Sequence, residues 1–490
     1  MPHVIQEADL RTEVLLVHAP YPGRLKFDAL PSSLLHAFAP FAARLAAAGR
    51  LSSIGYLDPR RPSATFLERV EELLRWGRAR VVCVCTSTAA IEETAAIVAR
   101  VRAVAGDEVL VLVGGPHEDA CETKVVERVV GVDLSVGGDA EFFVDWLLTE
   151  FLARDESPAL FCDRLPSRLH AAPVRHGKVE VSCERWGSAV TKTIEGGRLV
   201  AADLVPPAWI DRPVHFEVFD SARTLPLLVS RGCSWGRCTF CSEALSGGGQ
   251  VTANEFGWVA ELLDAHRGAA VYFQDSIFPF GGAARERLLP LLRASGAEWG
   301  CQVFLPTLSR EKLRLLAESG CRYIYTGLES ASDDVLAEVG KPNLNAALAL
   351  ERLGWTREFD LRVGVSLMFG SMRRDGALLE TEATVDATVA LSRSILGAGV
   401  NVVGFYPNVE TVLPGTALAR SLASSGVEMD FYRIPKCESF EDLEDGGVGF
   451  NFATLPARFD ELRSRLVGRI RDASREVEKM GERVTARVVP

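Results

Sequence analysis

Short runs of apolar and β-branched residues alternate with helical segments along most of this chain, and this alternation restricts its fold most strongly. Because each run is continuously apolar, both faces of the strand are expected to be buried, which is typical of parallel sheets. The pattern predicts a flavodoxin-like, doubly wound parallel sheet in residues 1–150. The expected strands are 13–20, 53–58, 80–87, 108–117 and 132–138, with helices over 33–48, 65–78 and 89–105.

A second series of apolar runs begins after residue 222. Six runs separated by helical segments predict a partial or full (β/α) barrel over 223–420. The expected strands are 224–230, 270–278, 296–304, 321–330, 360–370 and 400–407. Between the two series, residues 151–222 are rich in proline and follow no sustained period, so we predict a connector with short strands. Residues 421–490 form a C-terminal segment, and a closing helix is expected over 455–482.

Length and charge narrow the class of protein. A chain of 490 residues has room for two or three domains. Its formal net charge of −11 argues against a surface that coats nucleic acid. The apolar runs are too short to cross a membrane, and the N-terminus lacks the features of a signal peptide. We therefore expect a cytoplasmic protein, in which the eleven cysteines serve as buried thiols and metal ligands rather than disulfides.

Three of these cysteines stand within nine residues, in the segment 231–241 with the sequence RGCSWGRCTFC. We call this segment the cysteine loop; its cysteines are Cys233, Cys238 and Cys241, and it directly follows the first strand of the second series. A structural zinc site needs four protein ligands, and the other cysteines supply no second C-x2-C pair. A [4Fe–4S] cluster held by three cysteines would leave one iron open for a substrate.

The cysteine loop, placed after the first strand of a βα barrel, resembles the signature of radical S-adenosylmethionine (SAM) enzymes. The commoner family spacing is C-x3-C-x2-C, and this chain has one more residue between its first two cysteines. The aromatic Phe240 agrees with the family pattern. Three later segments agree in order: YFQDSIF, YTGLES and LMFGS, the last without the usual Gly-x-Pro. The resemblance implies a [4Fe–4S] cluster and SAM, with SAM contacts at Asp275, Ser276, Glu329, Ser330 and Gly370.

Small residues follow the strands of the first series, in the segments CTST, GGPH and GGDAE. From the residues alone, these segments are equally typical of ordinary turns between strand and helix. Ahead of a radical SAM barrel, however, this arrangement resembles the cobalamin-binding domain of the B12-dependent branch. That resemblance implies cobalamin contacts at Thr86, Ser87, Gly114, Gly115, Gly137 and Gly138. The motif Asp-x-His-x-x-Gly is absent around His18, so we predict that this histidine does not bind cobalt.

The resemblance also implies a reaction. A 5′-deoxyadenosyl radical would abstract hydrogen from an unactivated carbon, and methylcobalamin would deliver a methyl group to a natural-product intermediate or a peptide. A flavodoxin or ferredoxin would supply electrons, and neither nucleic acid nor membrane is expected as a partner. Glu410 and Cys437 are candidate acid–base residues. The simpler interpretations are a solvated loop glutamate and a buried thiol.

Three alternatives stay open at this stage. A member of the same branch could perform a ring contraction, oxidation or other rearrangement without transferring a methyl group. A methylthiotransferase would carry a further cysteine triad in its N-terminal domain, whereas Cys83 and Cys85 lie on one strand and are expected to be buried. A non-catalytic cobalamin-binding protein would have no need of the intact cysteines and SAM segments.

Overall fold

The computed structural model describes a defined part of the chain, and every structural statement below refers to it. The described residues are 13–19, 48, 54–57, 64–121, 124–138, 141–165, 178–182, 191–195, 224–245, 249–253, 256–265, 270–432 and seven single positions between 469 and 480. The expected helix over 33–48, the candidate Cys437 and most of 455–482 lie outside these residues. The chain divides into two compact units, Met1–Ala222 and Arg223–Pro490.

The first unit contains the predicted doubly wound sheet. Its five parallel strands are β1 Val14–His18, β2 Ile54–Leu57, β3 Val81–Cys85, β4 Leu110–Gly114 and β5 Leu134–Gly137. They follow the flavodoxin-like order β2-β1-β3-β4-β5. The helices of this unit are Ala64–Gly77, Ile91–Ala105, Pro116–Ala120, Glu141–Leu152 and Pro158–Asp163. All five residues of β3 are buried, as their continuous apolar character requires.

Two further strands extend this sheet beyond β5. They are β6 Lys178–Ser182 and β7 Thr191–Glu195, and both pair antiparallel to their neighbours. The short strands expected in the connector therefore belong to the first sheet. The sequence KVEVS alternates polar and apolar residues over only five positions, which is too short a pattern to assign the strand to a sheet.

The second unit contains the predicted barrel as a six-stranded parallel sheet. Its strands are β8 Thr224–Leu227, β11 Ala270–Phe273, β12 Trp299–Gln302, β13 Cys321–Glu329, β14 Arg362–Phe369 and β15 Val402–Val409. They neighbour one another in chain order, and among the described strands β8 does not pair with β15. The barrel is therefore partial. An antiparallel hairpin of β9 Ser230–Cys233 and β10 Gly249–Thr252 follows the first strand.

Helices connect the strands of the second unit. They are Gly257–Ala265, Leu289–Ser295, Arg310–Glu318, Asp333–Glu338, Ala346–Trp355, Glu382–Gly397 and Ala417–Ser424. Many begin at a side chain that accepts a backbone N–H, as Ser332 and Thr381 do, so their start points are encoded locally. Among the described residues, no helix combines the length and the apolar character needed to cross a membrane.

Candidate functional site

The cysteine loop starts within β9 and turns immediately after it. Cys233, Cys238 and Cys241 are all half-buried, so each thiol reaches the surface of the loop. The turn is closed by two interactions: the Gly236 N–H lies 3.5 Å from the Cys233 Sγ, and the Cys241 N–H donates to the Cys238 carbonyl at 3.3 Å. One short segment thus presents all three sulfurs, as the sequence predicted.

Hydrogen bonds attach the cysteine loop to the turn that follows helix Asp333–Glu338. The Trp235 indole N–H donates to the Gly340 carbonyl at 2.9 Å, and the Thr239 N–H donates to the Val339 carbonyl at 3.1 Å. Gly340 has a φ of +83°, and a Cβ there would lie 2.2 Å from the Arg237 carbonyl oxygen. Only glycine can take this conformation at such a close approach. The geometry of the cysteine loop therefore depends on residues about one hundred positions later in the chain.

The chemistry of the three thiols suits an iron–sulfur cluster. Burial raises the pKa of Cys238 to about 12, and burial also raises the pKa of Cys241. A bound cation such as iron favours the thiolate form, which is the form that ligates metals. Within the described part of the chain, no group of three or more His, Cys, Asp or Glu side chains is arranged to hold one metal ion. A [4Fe–4S] cluster takes one thiolate per iron, which spreads its sulfur ligands further apart.

A buried ion pair lies beside the cysteine loop. Lys341 donates from its Nζ to the Glu329 Oε1 at 2.7 Å and to the Gly327 carbonyl at 3.0 Å, and both charged side chains are less than a tenth exposed. Burial alone would lower the pKa of Lys341, but the charge of Glu329 and the neighbouring thiols raise it. A Cβ on Gly327 would lie 2.1 Å from the Glu329 Oε1, so that glycine makes room for the pair. Sequence reasoning missed Lys341.

Glu329 has an unusual backbone conformation for a residue that is not glycine. Its φ is +65°, at the end of β13, where the pairing with β14 also shifts register. Such a conformation costs about 1–3 kcal/mol and is found most often at functional sites. It directs the carboxylate to Lys341. Glu329, a predicted SAM contact, is therefore positioned by a backbone conformation that a regular strand does not have. Its contact with SAM stays a prediction.

Asp275 is fully buried, and its carboxylate bonds to the start of β9. The Ser230 hydroxyl donates to one oxygen, and the Val229 N–H lies 3.4 Å from the other. Burial raises the pKa of Asp275 to about 7. These contacts make Asp275 a positioning residue for the cysteine loop, because they hold the strand that carries Cys233. Ser276 is half-buried beside it.

Ser330 and Gly370, two more predicted SAM contacts, form hydrogen bonds with other residues of the protein. Ser330 is fully buried, and its hydroxyl accepts the Ser332 N–H at 3.1 Å. Gly370 has a φ of +72°, and its N–H donates to the carboxylate of the buried Glu380. Phe240 packs against a small apolar cluster of Val335, Val339 and Met368. These residues connect the cysteine loop to the strand ends, and their contact with SAM stays a prediction.

Glu410 follows β15 and is 1% exposed, which excludes a solvated loop glutamate. Its Oε2 accepts the Met372 N–H at 2.7 Å, and its Oε1 has no hydrogen-bond partner among the described residues. Burial raises its pKa to about 8, with a further contribution from nearby carboxylates, first among them Glu380. Burial likewise raises the pKa of Glu380 to about 7. Both carboxylates hold the segment 370–372 through backbone N–H groups.

In the first unit, the predicted cobalamin contacts lie at the carboxyl ends of β3, β4 and β5. Ser87, Gly114, Gly115 and Gly138 are partly or fully exposed there, whereas Thr86 and Gly137 are buried. The Thr86 hydroxyl accepts a hydrogen bond from Thr94 at 2.7 Å. A Cβ on Gly115 would lie 2.6 Å from the Thr86 carbonyl oxygen. Glycine at position 115 therefore allows the backbone after β4 to pack closely against the end of β3.

Two titratable residues next to this edge are structural. His117 is fully buried, with its Nδ1 3.0 Å from the Thr88 hydroxyl, and burial lowers its pKa to about 4. Burial raises the pKa of Glu118 to about 7, and its carboxylate accepts the Val125 N–H at 2.9 Å. His18, at the end of β1, is half-buried. Its lack of a bond to cobalt stays a prediction.

The geometry agrees with the family comparison. Residues 227–372 match the Radical SAM superfamily, and this span contains the cysteine loop, Asp275, Glu329 and Lys341. The second unit therefore contains a radical SAM domain, and the chain is a radical SAM enzyme. This domain implies a [4Fe–4S] cluster and SAM.

Two curated relatives are methyltransferases by name. An uncharacterized methyltransferase of Pyrococcus horikoshii is 22% identical over 340 residues, which are 68% of this chain and 67% of the relative. A bacteriochlorophyllide d C-12(1)-methyltransferase of Chlorobaculum tepidum is 23% identical over 197 residues, which are 38% of this chain and 42% of the relative.

Solved structures extend the likeness over both units. The radical SAM methyltransferase TsrM of Kitasatospora setae, with cobalamin and a [4Fe–4S] cluster bound, matches with a TM-score of 0.59 at 16% identity, over 84% of this chain and 78% of that one. The cobalamin-dependent radical enzyme OxsB, with aqua-cobalamin and SAM bound, matches with a TM-score of 0.57 at 13% identity, over 86% and 64%. The chain has the fold of cobalamin-dependent radical SAM enzymes.

Proposed function

We propose that this enzyme is a cobalamin-dependent methyltransferase that methylates an unactivated carbon of a natural-product intermediate or a peptide. One observation carries the proposal: a single chain combines a docked three-cysteine loop with a flavodoxin-like sheet whose strand ends bear glycines. Methyltransferase names among the relatives, and cobalamin in two structural neighbours, support it.

When bound, the cluster and SAM supply a 5′-deoxyadenosyl radical, and cobalamin supplies a carrier for the methyl group. The chain's own residues bind and orient these groups. Cys233, Cys238 and Cys241 would hold three irons of the cluster. Glu329, fixed by Lys341 at 2.7 Å, would hold SAM beside the fourth iron.

In the first unit, Ser87, Gly114, Gly115 and Gly138 would hold the nucleotide tail of cobalamin. They lie at the carboxyl edge of the sheet, where ligands of doubly wound folds bind. Thr86 and Gly137 would act beneath them by shaping the backbone, because both are buried. A flavodoxin or ferredoxin in the cytoplasm would reduce the cluster.

The proposal is tested with methyl-labelled SAM. The anaerobically reconstituted protein is incubated with reductant and candidate substrates, with and without cobalamin. The masses of the products are then measured by mass spectrometry. We expect a product that carries the labelled methyl group and that forms only with cobalamin. A product without the label would instead indicate rearrangement or oxidation, and labelling that does not need cobalamin would contradict the role of the first unit.

A further inference from the structure

The two faces of the barrel sheet differ in exposure along β13. Along β13, the outward residues Ile324, Thr326 and Leu328 are at most 1% exposed. The inward residues Tyr323 and Tyr325, which alternate with them, are only half-buried. Since side chains of one strand point alternately to the two faces, this exposure belongs to the interior of the barrel. The interior, which we call the lumen, therefore leaves part of the Tyr323 and Tyr325 side chains accessible among the described residues.

Tyrosines and glycines face one another around this lumen. The strand registers place Tyr272 beside Gly300, and Gly300 beside Tyr323. One layer higher, Tyr325 lies beside Gly364 of β14. Two further pairs complete the wall, Gly364 beside Gly404 and Ser366 beside Tyr406. Four of the chain's seven tyrosines therefore line one cavity.

The glycines make room for the rings. A Cβ on Gly364 would lie 2.2 Å from the Tyr323 hydroxyl and 2.9 Å from the Tyr325 Cδ2. A Cβ on Gly404 would lie 2.8 Å from the Tyr406 ring and hydroxyl. Rings that lie over glycines are held against the sheet, where a larger residue would displace them. Tyr325 and Tyr406 meet edge to face, with centroids 5.7 Å apart, which fixes both orientations.

The phenols of the lumen are neutral. Burial raises the pKa of Tyr272, Tyr323 and Tyr325, so these phenols stay protonated. The Tyr272 side chain is 8% exposed, and its hydroxyl has no hydrogen-bond partner among the described residues. The exposed Asn408 donates to the Ser366 hydroxyl at 3.0 Å.

One basic group lies next to these phenols, because the strand register places Arg362 beside Tyr323. On the lumen face of β14, the basic position is the exposed Arg362, which begins the strand. Lys341, near the strand ends, is bonded to Glu329. Among the described residues, the lumen therefore offers aromatic faces and neutral hydrogen-bonding groups, with the exposed cation Arg362 at the start of β14.

We infer that the lumen binds a planar, conjugated ring system of the substrate. Aromatic faces favour planar rings through offset and edge contacts, and a buried phenol without a partner favours a ring that bears a hydrogen-bonding heteroatom. Tyr325 and Tyr406 each stand four residues before the glutamate at their strand end, which is roughly 13 Å along a strand. The ring is thus the anchoring part of the substrate, and the reacting carbon extends from it toward the strand ends. This inference rests on the proposed function and names its substrate class.

The test is a binding comparison that needs neither cluster nor turnover. The full chain is dialysed to equilibrium against 2-naphthol and, separately, against decahydro-2-naphthol, which has the same skeleton and hydroxyl but no planar ring. We expect 2-naphthol to bind about tenfold more tightly, as one or two aromatic contacts would give. Equal affinities for the two probes would overturn the inference.

Variants locate the binding. Gly364→Ala forces Tyr323 and Tyr325 into the lumen and should abolish the preference for 2-naphthol. Gly354→Ala is the matched control, because a Cβ there meets no atom within 4 Å. Tyr325→Leu should lose the preference while Tyr325→Phe retains it, which separates stacking from folding if Gly364→Ala is unstable. A preference that survives both Gly364→Ala and Tyr325→Leu would place the ring elsewhere and contradict the inference.

The two proposals can fail separately. Absence of 2-naphthol preference, together with cobalamin-dependent methyl transfer to a non-aromatic substrate, would overturn the substrate class alone. Preference for 2-naphthol in a protein that transfers no methyl group would overturn the methyltransferase alone.

Discussion

The two units are both built on parallel sheets, but they expose different parts of them. In the first unit β3 is buried along its whole length, and the candidate cobalamin contacts lie only at the strand ends. In the second unit β13 alternates between buried and half-exposed residues, so one face of the sheet is itself available to a ligand. A doubly wound sheet thus offers an edge, whereas a partial barrel offers an edge and a lumen.

The two units also differ in the buried titratable residues that lie beside their candidate sites. Next to the edge of the first unit, His117 is kept neutral by burial. Beside the cysteine loop, Lys341 and Glu329 are buried as a charged pair. A buried ion pair costs desolvation energy, which makes Lys341 and Glu329 candidates for a functional site.

The largest expected effect separates the cysteines of the two units. Changing Cys233, Cys238 and Cys241 together to Ala should reduce the iron content of the reconstituted protein from about four atoms to none. Changing Cys162, which is fully buried in the first unit, to Ala should leave the iron content unchanged. Iron and sulfide analysis checks both variants. A full cluster in the triple variant would contradict the assignment of the loop.

The next effect concerns the buried pair. Lys341→Met leaves Glu329 buried without its partner, which should lower the free energy of unfolding by about 3–5 kcal/mol. Arg374→Ala is the control, because it breaks an exposed pair with Glu338 and should cost at most about 1 kcal/mol. Denaturant titration measures both. Similar losses of unfolding free energy in the two variants would show that the pair at Glu329 stabilises the fold no more than the exposed pair does.

The raised carboxyl pKa values predict a dependence of stability on pH. Glu410 ionises near 4.5 in the unfolded chain, but its pKa in the folded enzyme is about 8. Between these values the folded state keeps a proton that the unfolded state has lost. Stability therefore falls as pH rises, by about 1.4 kcal/mol per pH unit for this group.

Glu410→Gln should flatten this dependence, because the amide oxygen can still accept the Met372 N–H and carries no charge. Denaturation midpoints at pH 5.5 and 8.5 provide the measurement, with the exposed Glu358→Gln as control. A slope in Glu410→Gln as steep as in the wild type would show that this carboxyl is not protonated in the folded state.

The smallest effects test whether the two units bind their cofactors independently. Gly115→Ala should weaken cobalamin binding by about tenfold, or about 1.4 kcal/mol, and leave the iron content intact. Gly340→Ala should lower the iron content and leave cobalamin binding intact, because it displaces only the cysteine loop.

Gly106→Ala and Gly296→Ala are the matched controls. Both glycines have a positive φ, but a Cβ there meets no atom within 4 Å. The controls should therefore show the conformational cost without the loss of a ligand. Parallel loss of both cofactors in either test variant would contradict independent binding.

Much of this arrangement could be predicted from sequence because it is encoded locally. Continuous apolar runs predicted the parallel strands of both sheets, and the spacing of Cys233, Cys238 and Cys241 indicated the cluster. Contacts between residues that are far apart in the sequence could not be predicted from it. Lys341 stands in a turn without periodicity, twelve positions after Glu329, and Asp275 bonds across forty-five positions to Ser230. The lumen depends on register between strands, which brings Gly364 beneath Tyr325.

The use of SAM tests the central claim most directly. The reconstituted enzyme reacts in the presence of cobalamin, reductant and a substrate that it methylates, and samples are quenched at intervals. The amounts of product, 5′-deoxyadenosine and S-adenosylhomocysteine are measured in each sample. Radical methylation of an unactivated carbon predicts that one molecule of each coproduct accompanies each product. 5′-Deoxyadenosine without matching S-adenosylhomocysteine would contradict methyl transfer, and S-adenosylhomocysteine without 5′-deoxyadenosine would contradict hydrogen abstraction.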